Sequence, residues 1–190
     1  MHALLRPPRL FFLLRPSAEK IRARIAAPDT LVCAPVLHRD TEACPPGYLR
    51  LFAETTLPGG SFARARECIL HFRHYPTFTA VHDTREPATR DARYAVVVDH
   101  LGVYSLNMFA ITDITDTDAR FALTLGTLHA HAEAGEERFA VEQRDGALHL
   151  SITSYSRTRH PLARLGSFYA RHLQRRFLRE ALANLERAAR

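Results

Sequence analysis

Hydrophobic and polar residues alternate along most of the chain between Tyr48 and Ser156, and this pattern predicts a protein rich in β-strands. The stretch YLRLFAETTLP places leucine, alanine and threonine on one face. Further alternating stretches are TFTAVHD, ARYAVVVDHL, VYSLNMFAITDIT, ARFALTLGTLHA, EERFAVEQR and ALHLSITSYS. Most are separated by short turns, and Asp145-Gly146 is a strong hairpin signal. We therefore predict about seven strands with antiparallel neighbours.

Two shorter stretches show helical periodicity. After RLFFLL, which predicts a short strand, Ser17 is placed to cap a helix that buries Ile21 and Ile25. Ser61 is placed to cap a second helix. The apolar positions of that second helix form one stripe: Phe62, Ala65, Ile69 and Phe72.

The chain closes with a long predicted helix over residues 160–190. The apolar stripe of its first half consists of Leu162, Leu165, Tyr169, Leu173 and Phe177. From Leu178 to Leu185 the apolar positions shift around the axis, so the last turns meet a different surface or bend. The element order predicts an α+β fold of the helix-grip type, a curved antiparallel sheet around the C-terminal helix. A ligand cavity between sheet and helix is expected.

Residues 1–47 are predicted to be an N-terminal extension made of a short strand, a helix and a proline-rich loop, and residues 48–190 to be the helix-grip domain. No apolar run approaches the ~20 residues of a membrane-spanning helix. No secretory signal is evident, so a cytoplasmic location is expected. Three cysteines cannot pair completely and are expected to be free thiols. Cys33, His38 and Cys44 lack the spacing of a zinc site, and no cofactor is predicted.

Positive charge is concentrated near the C-terminus. From Arg157 onward there are nine arginines against two glutamates, and the other 156 residues have a net charge of −1. A basic surface that includes Arg164, Arg171 and Arg175 is therefore a candidate for binding nucleic acid or an anionic membrane. The aromatic residues Phe168, Tyr169 and Phe177 are expected to be buried, which argues against a nucleic-acid module.

The stretch GTLHAHAEAGEERFAV contains the strongest candidates for metal binding or acid–base chemistry. A strand would place His129, His131 and Glu133 on one face. The spacing from the two histidines to Glu136 resembles half of a cupin metal motif, but the other half is missing. Adjacent Glu136 and Glu137 point to opposite faces, so at most one enters a cavity. There, burial would raise its pKa into a useful range. The simplest interpretation is a hairpin with a turn at residues 132–135.

Two classes of function at the cavity follow from these residues. The first is binding of a small hydrophobic molecule, for which the predicted contacts are Tyr104, Asn107, Met108, His131, Glu136 and Tyr155. The second is an enzyme of the cyclase, dehydratase or hydrolase type, which would use Glu136 or Glu137 with His131.

Five segments resemble the uncharacterised protein family 0548, a bacterial and plant group also called DUF1990. They are FFLLRPSAEKIRARIA, CPPGYLRL, GTLHAHAEAGEERFAV, SYSRTRHPLARLG and LQRRF, which extend from about Leu10 to about Leu185. The family is similar to the helix-grip superfamily of pollen allergens and START domains, which implies the same fold. His131, Gly135, Glu136, Glu137 and Phe139 match the family, whereas His129-Ala130 replaces its usual proline and glycine.

Overall fold

The computed structural model describes residues 10–28, 44, 46–82, 87–160 and 166–190, with Ser167 described by its backbone alone. Eight antiparallel strands form one sheet in this part of the chain. Their bounds are β1 Phe11–Phe12, β2 Leu49–Pro58, β3 Thr79–His82, β4 Arg93–His100, β5 Val103–Asp116, β6 Arg120–Thr127, β7 Glu133–Arg144 and β8 Ala147–Thr158. The predicted seven strands are confirmed, and the short strand β1 is the eighth.

The strand order is β2-β8-β7-β6-β5-β4-β3, and β1 pairs with the start of β5. All neighbours in this order except β2 and β8 are consecutive in sequence, as expected for strands joined by short turns. The β7–β8 hairpin turns at Asp145 and Gly146, both with positive φ, which confirms the predicted turn. β5 contains a register shift between Ile111 and Asp113, where it bends against β6.

Three helices are described: α1 Ala18–Ala26, α2 Phe62–Leu70 and α3 Ser167–Ala189. The side chain of Ser17 accepts a hydrogen bond from the backbone N–H of Lys20, and that of Ser61 from the N–H of Arg64, so both predicted N-caps are confirmed. No helix in the described ranges is long and apolar enough to cross a membrane.

The main hydrophobic core lies between one face of the sheet and helices α2 and α3, and we call this sheet face the inner face. Phe121, Phe139 and Ile152 are fully buried there against Ile69 of α2. The second half of α3 joins the same core through Leu178, Ala181, Leu185 and Ala189. The shift of the apolar stripe along the terminal helix therefore marks the point where the helix meets α2 and the core.

The opposite, outer face of the sheet is covered at β4 and β5 by β1 and α1. Ile21 of α1 is 1% exposed and packs in a second cluster with Ala95, Val97 and Met108. Because both faces of β4 are covered, Tyr94–Val97 is buried at every position instead of alternating.

One local prediction is wrong. The sequence predicts a turn at residues 132–135, but β7 begins at Glu133, and Glu133, Ala134 and Gly135 pair with Thr158, Arg157 and Ser156 of β8. Most of the proline-rich loop lies outside the described residues, so the boundary at residue 47 stays a prediction. The terminal helix is predicted from residue 160, but α3 begins at Ser167, and residues 161–165 of the prediction lie outside the described residues.

Candidate ligand-binding cavity

A cavity of about 350 Å³ lies between the inner face of the sheet and the first half of α3. Its walls are mainly apolar, with a smaller polar region. The phenylalanine and tyrosine residues of the lining are Phe11, Tyr75, Phe78, Phe109, Tyr155, Tyr169 and Phe177. The volume lies within the range of roughly 300–1,000 Å³ that is typical of small-molecule sites.

The polar part of the wall begins where β7 and β8 face α3. Gln174 of α3 donates from Nε2 to both carboxylate oxygens of Glu133 (2.9 and 2.8 Å) and to Oγ of Ser156 (3.1 Å). Burial raises the pKa of Glu133, while the hydrogen bonds from Gln174 and Ser156 oppose this shift. These contacts connect the helix to the sheet over the cavity.

Gly135 allows β7 to follow β8 closely at this point. A Cβ atom on Gly135 would lie 2.0 Å from the carbonyl oxygen of Tyr155, so no residue with a side chain fits without moving the backbone. The N–H of Gly135 donates to the side-chain Oγ1 of Thr127 on β6 (2.9 Å). Gly135 therefore separates the inward positions of Glu133 and Glu137 without adding a side chain between them.

Glu137 is the inward carboxyl group of the adjacent glutamate pair. It lies on the same face of β7 as Glu133 and Phe139, and it lines the cavity. Burial and, to a lesser degree, the charge of Glu133 raise its pKa to about 8. At neutral pH Glu137 is therefore mostly a neutral carboxylic acid.

The charge of Glu137 acts electrostatically on the hydroxyl of Tyr75. Burial, and secondarily Glu137, raises the pKa of Tyr75 well above its usual value, so the phenol is neutral. Tyr75 lines the cavity, and its buried hydroxyl has no hydrogen-bond partner among the described residues. The hydroxyl can therefore donate or accept a hydrogen bond in the same cavity that Glu137 lines.

Two histidines of the lining are neutral. Nδ1 of His131 contacts both the backbone N–H (2.9 Å) and the backbone carbonyl (3.1 Å) of Glu133, and burial lowers the pKa of His131 to about 3. His100 contacts Oγ of Ser105 through Nε2 (2.8 Å), and burial lowers its pKa as well. Neither ring contributes positive charge to the cavity at neutral pH.

The family described as "Domain of unknown function (DUF1990)" matches residues 33–184 of the chain. The chain belongs to this family. It is 25% identical over 154 residues to a UPF0548 protein of Arabidopsis thaliana, which covers 76% of this chain and 75% of the plant protein. It is 35% identical over 89 residues to a UPF0548 protein of Deinococcus radiodurans, which covers 46% of this chain and 45% of that protein.

Solved structures share the fold of this DUF1990 protein at low sequence identity. A hypothetical protein from Helicobacter pylori has a TM-score of 0.55 at 12% identity, with 75% of this chain and 88% of that chain covered. A Thermus thermophilus protein has a TM-score of 0.53 at 14% identity (74% and 97% covered). Ginseng major latex-like protein 151 from Panax ginseng has a TM-score of 0.50 at 11% identity (75% and 98% covered). The fold is of the helix-grip type.

Four of the six predicted ligand contacts border the cavity: Asn107, His131, Glu136 and Tyr155. Asn107 is buried and donates from Nδ2 to Oγ of Ser105 (2.8 Å). Glu136 and Tyr155 are opposite each other in β7 and β8. Because neighbouring strand residues point to opposite faces, their side chains belong to the outer side of the sheet, whereas that of Glu137 belongs to the cavity.

The structure does not place Tyr104 and Met108 in the cavity. Met108 is fully buried in the outer cluster, and Tyr104 packs against that cluster. The reason is strand alternation, since Asn107 and Met108 are neighbours on β5 and cannot share a face.

The predicted basic surface is only partly described. Arg171 and Arg175 are exposed on α3, and Arg164 lies outside the described residues. Phe168 is 87% exposed and Tyr169 41% exposed, so the prediction that both are buried is wrong, while Phe177 is half-buried. Phosphate or anionic-membrane binding by this surface stays a prediction. In the described ranges, no group of three or more potential metal ligands converges on a point.

Sequence reasoning missed Tyr75 and Gln174, and it considered Glu133 only as a possible metal ligand beside His129 and His131. The position of Glu133 beside the cavity is indicated by the sequence, because Glu133 and Glu137 are four residues apart on one strand and therefore lie on the same face. For Gln174 the signal was a polar residue between Leu173 and Phe177 on the apolar side of the terminal helix. Tyr75 follows α2 in an irregular segment, where no periodicity indicates which way a side chain points.

Proposed function

We propose that this protein binds a small hydrophobic molecule in the cavity between the inner face of the sheet and α3. The observation that carries the proposal is the cavity itself, about 350 Å³ in volume and lined mainly by apolar side chains. A filled interior would leave no room for a ligand, and burial of apolar surface is the main source of affinity in such sites.

The arrangement of the polar groups supports the same function. Glu137, Tyr75 and Ser154 lie in the lining of an otherwise apolar cavity, where a few polar groups can orient a bound molecule. Gln174 fixes α3 to β7 and β8 at one side of the cavity, which holds part of the wall in place before any ligand binds.

The test is mass spectrometry of the purified protein, first under native and then under denaturing conditions. We expect an added mass that disappears on denaturation, and its identity would name the ligand class. The variant Ala170→Trp, which fills the cavity from α3, should lose the added mass. Ala183→Trp, on the exposed side of the same helix, should keep it. Retention by Ala170→Trp would place the molecule elsewhere and contradict the proposal.

A second candidate is acid–base catalysis in the same cavity, and the neutral inward carboxyl group of Glu137 favours it. A group with a pKa of about 8 can donate and accept a proton near neutral pH. His131 does not fit as its partner, since a ring with a pKa of about 3 is a weak base. Turnover of the co-purified compound by the wild-type protein, lost in Glu137→Gln, would support this candidate, and equal turnover would exclude Glu137.

A further inference from the structure

The acidic side chains in the lining of the cavity are not balanced by a permanently charged basic residue among those that the structure describes. Glu133 and Glu137 both face the cavity, and none of its described lining residues is lysine or arginine. The whole chain, in contrast, has a net charge of +6. We propose that the cavity binds a hydrophobic amine, with the ammonium group against Glu137 and Tyr75 and the apolar part against the aromatic wall. This inference rests on the proposed function.

Glu133 and Glu137 differ in whether the protein supplies hydrogen-bond donors to the carboxyl group. Gln174 donates to both oxygens of Glu133, and the hydroxyl of Ser156 is also in contact, so that carboxylate already has protein donors. No hydrogen bond or ion pair to the Glu137 carboxyl group is found among the described residues. A buried carboxyl group without a partner is unfavourable in its ionised form, and a bound cation removes that penalty.

The other titratable groups around Glu137 do not supply the missing charge. From β7 it is faced by Glu133, and from the segment after α2 by Tyr75, which is neutral. His131 and His100 stay neutral because burial lowers the pKa of each, and the nearby Arg159 lowers that of His131 further. From α3, the described lining residues include none with a charged side chain, and Gln174 is an uncharged amide.

The hydrogen-bonding groups of the wall favour a ligand that donates. Carboxyl oxygens of Glu137, the hydroxyl of Ser154 and the unpartnered hydroxyl of Tyr75 can all accept. A primary ammonium has three N–H donors and no acceptor, so it matches these groups, whereas a carboxylate ligand is repelled by Glu133. The rings of Tyr75 and Phe177, whose centroids are 5.1 Å apart, add an aromatic surface that attracts cations.

Binding of an ammonium ion changes the protonation of Glu137. The free protein holds a proton on Glu137 at neutral pH, and the ion pair forms when that proton leaves to solvent, so each bound amine releases about one proton below pH 8. Apparent affinity should therefore rise about tenfold for each pH unit up to about 8 and then level off, because above that pH the carboxylate is already formed.

Three eight-carbon probes of equal chain length test the proposal by isothermal titration calorimetry between pH 6 and 9: octylamine, octan-1-ol and octanoate. At pH 8.5 we expect octylamine to bind at least tenfold more tightly than octan-1-ol, and octanoate to bind most weakly. Titrations at pH 7 in phosphate and in Tris give the number of protons released, which should be close to one for octylamine and zero for octan-1-ol.

The variant Glu137→Gln should lose the pH dependence and the preference for octylamine while still binding octan-1-ol. Glu142→Gln, the same substitution on the outward side of β7, should behave as wild type. Octan-1-ol or octanoate binding as tightly as octylamine would overturn the amine proposal and leave the proposed function standing. Failure of all three probes to bind would overturn both.

Discussion

The variant Glu137→Gln should make the protein more stable at neutral and alkaline pH. In the folded protein Glu137 has a pKa of about 8, compared with a usual value of 4.5. Folding therefore favours the protonated form, and wild-type stability should fall as the pH rises from about 4.5 through 8. Glutamine has nearly the same shape as a protonated glutamate and does not ionise. The variant should therefore not lose stability as the pH rises.

The size of the effect follows from the two pKa values. At about 1.36 kcal/mol per pH unit, the loss in wild type is about 3 kcal/mol at pH 7 and approaches about 5 kcal/mol above pH 8. Glu137 borders the cavity, where water can solvate part of the carboxylate, so we expect a gain of about 2 kcal/mol at pH 7. For a protein of this size that gain corresponds to a rise in Tm of roughly 4–8 °C.

The assay is thermal and urea unfolding of wild type, Glu137→Gln and the control Glu142→Gln at intervals from pH 4.5 to 9. Other ionisable groups are common to all three proteins and largely cancel in the differences. We expect the curves of wild type and Glu137→Gln to meet near pH 4.5 and to separate progressively up to pH 8. A stability difference that does not depend on pH, or that grows as the pH falls, would refute the assignment of Glu137 as the buried, neutral carboxyl group.

Three further predictions concern packing and protonation. Burial lowers the pKa of His74 to about 4 and that of His131 to about 3, so both rings should stay neutral from pH 5 to 8. Long-range ¹H–¹⁵N correlation spectra test this, and a titration midpoint above pH 6 for either ring would contradict it. Gly135→Ala should destabilise by about 3 kcal/mol or more in urea unfolding, because of the 2.0 Å approach of the Tyr155 carbonyl oxygen. Gly146→Ala, with positive φ but open space around it, should cost only about 1–2 kcal/mol, and equal effects would count against the close contact. Ile21→Ala should lower the free energy of unfolding by about 2–5 kcal/mol, whereas no change would mean that α1 does not dock on the sheet.

The order and type of the elements could be predicted from the sequence because alternation and helical periodicity are strong in this chain. The two serine caps and the Asp145-Gly146 turn depend on local chemistry alone, and each is confirmed. The start of β7 was not predictable in the same way. Gly135 has the character of a turn residue, yet it lies within a strand because of a close approach from β8, a contact between residues twenty positions apart.

The candidate site was harder to predict than the fold. Alternation shows which residues share a face of a strand but does not show which face meets the cavity. Asn107 and Met108 are therefore both predicted as contacts, although only Asn107 can face inward. The choice between Glu136 and Glu137 has the same difficulty, since it depends on where the sheet places its helices. Gln174 and Tyr75 depend on the packing of α2 and α3, which no local pattern contains.

The two ends of α3 are held in different ways, and this affects how quickly a ligand can exchange. At its C-terminal end the carbonyl of Ala189 accepts from the N–H of Ser61 (2.8 Å) and from Arg64 (3.3 Å), so the end of α3 meets the start of α2 with favourable dipoles. The first half lies over the cavity, where Gln174 makes the hydrogen bonds to β7 and β8. Loosening Gln174 should therefore shorten the residence time of a bound molecule by speeding both association and dissociation, with less effect on its equilibrium affinity.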